Sequence, residues 1–285
     1  MKKNIIAGAA AFSLAAPIIA GTSIALSSPA TAEIEGDLSV DYASQYSYRG
    51  MNDIISEGLG LIPGADAEHV YNTELNLNYA LNDKWTLFAG MNIRSLTDTS
   101  VDHNSYRIGA RYTTDAYTIE FGHQRHELAQ ILTPVAGLGT LDTTEIFLSI
   151  STECPLTGGT VKLFAAHDID ELDGTYVELS LSKGWELNES TNLNVTAGVS
   201  YSFNYWDNFL SVGPVQLLNT GNDWNHAYLT VSLDYQLAEN VTLTPYVSYS
   251  RGFGALDPSN TGVAIINTLE ESDELIYGLK ASIKF

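Results

Sequence analysis

Basic residues are scarce in this chain of 285 residues: 13 Lys and Arg stand against 34 Asp and Glu. Phosphate binding needs clustered Lys and Arg, so nucleic acid is excluded as a default partner. There is one cysteine, Cys154, which cannot form an internal disulfide. Past residue 20 no stretch approaches the roughly 20 uninterrupted apolar residues a spanning helix needs. No G-x-S-x-G occurs, and a His123 or His126 near some serine is too common a juxtaposition to mark a nucleophile. An enzyme is not expected, and neither a cofactor nor a metal site.

What is present begins with a leader. Lys2 and Lys3 precede an apolar run over residues 5–20, and a small-residue segment closes with Ala30-Thr31-Ala32. That pattern predicts a secretory signal peptide over residues 1–32, with Glu33 opening a barrel-forming segment over 33–285. Ser13, Pro17 and Gly21 interrupt the run, against a retained helix, and no Cys sits near the cleavage site to receive a lipid. Removing two Lys and no acid leaves 11 basic residues against 34 acidic, a net charge of −23. Such a surface suits divalent cations or the entry of cations, and equally a merely solubilising role.

Alternation carries the fold. In residues 275–285, Leu275, Tyr277, Leu279, Ala281, Ile283 and Phe285 share one side of an extended strand. The other side holds Ile276, Gly278, Lys280, Ser282 and Lys284, small or charged in all but one case. Similar one-sided segments recur at 38–49, 69–81, 85–95, 104–113, 116–124, 143–152, 160–167, 175–185, 191–203, 227–237 and 241–250. Long and short connections between them strictly alternate, the asymmetry of outer-membrane barrels with periplasmic turns and extracellular loops. The expected fold is all-β: a transmembrane, antiparallel, up-and-down β-barrel of about 12 strands, each near the roughly 9–11 residues a tilted strand needs to cross. Mean hydropathy near zero fits a wall that shows only alternate residues to lipid.

Outward aromatics should gather where such a wall meets the two membrane interfaces. Tyr79, Trp85, Tyr112, Tyr117, Trp185, Tyr235 and Phe285 fall near the short turns; Tyr46, Tyr48 and Tyr277 fall near the long loops. Lys183, outward beside Trp185, can reach headgroups with its long stem.

The inward charges define the candidate pore. Arg49, Arg94, Arg107 and Arg111 come from the first, third and fourth segments; Glu74, Glu120, Glu145, Glu178 and Asp234 lie elsewhere on the inner face. A basic patch beside an acidic one can set a transverse field that orients polar solutes. The same charges can instead pair across strands and brace the wall. All six His lie near the long loops, where a metal-binding or pH-sensing rim is conceivable, although such His are more often interfacial or solvated. The run Asp168-x-Asp170-x-x-Asp173-Gly174 lacks calcium-loop spacing. Apolar clusters at 54–55, 59–62, 132–138, 209–218 and 263–266 could fold into the mouth or pack on one another.

Two resemblances follow from these residues. The apolar final strand ending in Phe285 resembles the C-terminal signal of bacterial outer-membrane barrels, which in that family is read by the barrel assembly machinery. The stretch Ser44-Gln45-Tyr46-Ser47-Tyr48-Arg49-Gly50 resembles the first-strand ending Ser-x-Tyr-x-aromatic-Arg-Gly of a family of bacterial outer-membrane proteins regarded as porins. The resemblance implies a barrel and no particular substrate. The expected function is passive diffusion of small polar solutes or ions across the outer membrane, in contact with lipid and lipopolysaccharide. The alternative is a closed structural or adhesive barrel that works through its extracellular loops.

Overall fold

The computed structural model describes residues 34–49, 69–97, 102–129, 141–206, 211–212, 215–216, 221–256 and 273–285. The expected leader over 1–32, Gly50 and most of the apolar loop clusters lie outside them.

Twelve strands form one closed antiparallel barrel. They are β1 Ile34–Ala43, β2 Val70–Ala80, β3 Trp85–Leu96, β4 Asp102–Thr113, β5 Tyr117–Ala129, β6 Leu141–Glu153, β7 Thr160–Asp168, β8 Thr175–Asn188, β9 Thr191–Phe203, β10 Asn222–Ala238, β11 Val241–Gly252 and β12 Asp273–Lys284. Each pairs with its neighbours in sequence, and β12 closes the ring on β1 with Leu38 opposite Ile283 and Val40 opposite Ala281. Closure leaves no strand edge, which is the condition for sheet in lipid. A two-residue pair, Ser211–Val212 with Val215–Gln216, lies in the connection after β9.

The wall is inside-out relative to a soluble sandwich. Ile108, Leu148, Leu179, Leu229, Val247 and Leu279 are all exposed on its outer face, the side a soluble sandwich would bury against a second layer. Inside, Phe88, Phe147 and Phe164 make a small apolar cluster, while Ser149, Ser200 and Ser250 are buried. The rings fit because glycines opposite them leave room. Tyr228 lies across Gly198 on the paired strand β9, and Tyr246 across Gly278 on β12. Their hydroxyls then reach Glu178 at 2.9 Å and Asp41 at 3.1 Å.

The seam is locked at the C-terminus. Gly36 and Phe285 exchange backbone hydrogen bonds of 2.8 and 2.9 Å, and the Phe285 ring occupies the space a side chain on Gly36 would need.

One boundary differs from the sequence expectation in a way that matters. β1 stops at Ala43, not at Arg49. Ser44 still bonds the backbone of Tyr277, but the chain then leaves the wall and turns into the barrel. Tyr46 and Tyr48 are therefore not interface aromatics. They are 1% and 7% exposed, because their hydroxyls find partners inside the mouth that lipid could not supply.

Candidate functional site

The site is a plug at the long-loop end, made by residues 44–49 and 204–206 and held by the upper rows of β4, β5 and β6. Two left-handed residues bring the pieces in. Arg49 has φ 54° and Asn204 φ 54°; asparagine tolerates that conformation, whereas arginine there is uncommon. What holds Arg49 in place is Glu145.

Glu145, on β6, is fully buried. Arg49 donates to both its carboxylate oxygens, at 2.6 and 2.7 Å. Tyr205 Oη donates to Oε1 at 2.7 Å, and Gln124 Nε2 donates to Oε2. The Arg49 guanidinium is in turn stacked by Tyr176, Tyr205 and Tyr48, at 4.5, 4.6 and 5.1 Å from the ring centres. A buried carboxylate is tolerated only when paired and saturated with donors, and this one is both. Burial alone would lower the Arg49 pKa, but Glu145 and the surrounding tyrosines hold it well above the ordinary value. Burial pushes the Tyr205 hydroxyl well up, so it stays a donor.

A second chain of bonds runs into the same carboxylate. Tyr46 Oη and Arg94 Nη1 both approach His103 Nδ1, at 2.5 and 3.0 Å. Arginine can only donate, so that nitrogen is the acceptor and His103 carries its proton on Nε2. His103 Nε2 then donates to His126 Nδ1 at 3.1 Å, and His126 Nε2 to Glu145 Oε2 at 3.3 Å. The proton positions follow one after another from the arginine to the glutamate.

The other half of the plug is fixed by a bulge. Between Trp224 and Ala227, β10 carries one residue more than β9 opposite it, which turns both Asn225 and His226 inward. Asn225 Oδ1 accepts from Trp206 Nε1 at 3.2 Å, and His226 Nδ1 meets Ser200 Oγ at 2.7 Å. Gly174 lets the Tyr205 backbone lie against the loop before β8. Asp168 organises that loop, accepting from the backbone of Asp170 and Leu172 at 3.0 and 2.9 Å.

Of the charges read from sequence, the structure joins Arg49 to Glu145 and Arg111 to Glu120, the latter at 2.6 Å. Arg107 donates to Asn76 at 2.8 Å, and the same amide donates to Glu74 at 2.9 Å. Glu178 accepts from Tyr176, the ring that stacks on Arg49, and from Tyr228, while Asp234 accepts from Asn194 and Thr244. Tyr79, Trp85, Tyr117, Trp185, Tyr235, Tyr277 and Phe285 lie exposed on the outer face. Tyr112 is half-buried against Trp85, ring centres 4.8 Å apart. Lys183 lies over Trp185 at 5.5 Å.

Sequence reasoning missed Tyr205 and Trp206, and did not connect His103, His126 and Gln124 to Glu145. The available signal was two further aromatics just beyond the alternation that ends at Phe203. Among the described residues no three His, Cys, Asp or Glu side chains converge as a metal would require.

The fold is that of an outer-membrane barrel. LpxR from Salmonella typhimurium superposes with a TM-score of 0.51, at 9% identity over 87% of this chain and 99% of that one. The NanC porin gives 0.46, at 12% identity over 88% and 100%. Outer membrane phospholipase A from Escherichia coli gives 0.47, at 10% identity over 87% and 92%. No protein-family model matches the chain, and no curated protein is similar to it in sequence.

Proposed function

We propose that the protein is an outer-membrane channel for small polar solutes or ions, narrowed at its outer mouth by the Arg49–Glu145 plug. The observation that carries this reading is the combination of an apolar outer face with a polar, charged inner one. Arg107 faces inward from the wall and is nonetheless exposed, so the lumen below the plug is open to water. A barrel built only to be filled would cover such a guanidinium.

The plug itself favours a second reading, a closed barrel whose work lies in its loops, since five donors on one carboxylate make a firm closure. Planar-bilayer recording of the refolded chain under a salt gradient separates the two. Steady current steps with a defined reversal potential support the channel. A folded, heat-modifiable protein that stays silent supports the closed barrel.

A further inference from the structure

Below the plug lies a cavity of about 430 Å3, bounded toward the mouth by Tyr48 and Arg49. It falls within the roughly 300–1,000 Å3 typical of small-molecule sites. Its two sides carry opposite charge. On one, Arg94 from β3 and Arg107 from β4 both line the cavity, as does Glu74 from β2. Among the described residues neither guanidinium is in an ion pair; each instead meets a neutral group, His103 or Asn76. Among the groups that line the cavity, Glu74 offsets one of the two guanidiniums and one net positive charge remains on that side; Asp41, outside this lining, faces Arg94 and Lys280.

On the other side is Glu178 from β8. Its two oxygens accept from Tyr176 at 2.8 Å and Tyr228 at 2.9 Å, and among the described residues it has no ion-pair partner either. In the ring, β8 and β10 lie across the barrel from β3 and β4. Arg49 and Glu145 show what happens when such groups can meet. Here the strands that bear them keep them apart, with the cavity between.

We propose that this cavity is a binding site for small zwitterions, molecules with both a carboxylate and an ammonium group, such as a free α-amino acid. The carboxylate meets the Arg94 and Arg107 guanidiniums, whose planar forks suit it. The ammonium meets Glu178, which keeps acceptor capacity beyond the two tyrosine hydroxyls that orient it. A simple anion or a simple cation satisfies one side only. The inference deepens the channel reading by naming its favoured solute class, yet binding itself does not require conduction.

The test is calorimetric titration of the refolded full chain with alanine, N-acetylalanine and alanine methyl ester: the zwitterion, the anion and the cation of one small skeleton. Alanine is expected to bind about tenfold tighter than either derivative, since each lacks one charge-assisted contact. Glu178→Gln should erase its advantage over N-acetylalanine, and Arg107→Gln its advantage over the methyl ester. Equal affinities, or no binding of any of the three by the folded wild type, overturn the proposal, and that ranking needs no variant to fold. Conductance without the ranking overturns only the zwitterion site; the ranking without conductance overturns only the channel.

Discussion

Arg49 and Glu145, 96 residues apart in sequence, form a two-pronged ion pair inside the mouth of the barrel, with bonds of 2.6 and 2.7 Å. Removing one member strands the other in a buried site, which costs about 3–5 kcal/mol. Glu145→Gln and Arg49→Gln should each destabilise the barrel on that scale. The double variant should cost less than the sum by about 2 kcal/mol or more. Urea unfolding in lipid vesicles, followed by tryptophan fluorescence, measures all three.

The hydroxyls around the plug should not be equivalent. Tyr205 donates to the charged Glu145, whereas Tyr46 donates to a neutral imidazole that Arg94 also reaches. Tyr205→Phe is expected to cost about 1.5–3 kcal/mol and Tyr46→Phe about 1 kcal/mol. Equal losses in the same unfolding assay would argue against the charge on Glu145 as the organising feature.

At the seam, a side chain on Gly36 would come within 2.6 Å of the Phe285 ring. Gly36→Ala should therefore cost about 1–3 kcal/mol through overpacking and lower the folded yield. Restoring yield in a Gly36→Ala, Phe285→Leu double variant would trace the loss to that ring.

The wall makes a simpler prediction. Leu229 is exposed on the outer face near the middle of β10, so Leu229→Arg should cost about 2–4 kcal/mol in lipid. Arginine at Ser248, which lines the inner cavity, should cost far less, because its head stays in water.

Much of this architecture was legible because the side-chain period in a strand is two and only one face of the wall is apolar. β9 is the clearest case: alternation runs from Thr191 to Phe203, and the strand has those bounds. β1 failed for the same reason. Tyr46 and Tyr48 continue the outward register of Leu38, Val40 and Tyr42, and Arg49 the inward one of Asp41 and Gln45; period alone does not say whether an aromatic faces the outside of the wall or a plugged mouth. That decision rests on partners remote in sequence, His103 for Tyr46 and Tyr205 for Tyr48. Arg49 and Glu145 were each recognisable as inward charges. Their meeting was not, because it depends on the chain leaving the wall at Ser44 and turning through a left-handed arginine.

The most direct test is single-channel recording of the wild type beside Glu145→Gln in the same bilayers. The account predicts current steps from both, with larger steps from the variant, whose plug has lost its anchor. Folded protein that conducts in neither form, or identical steps in the two, would contradict it.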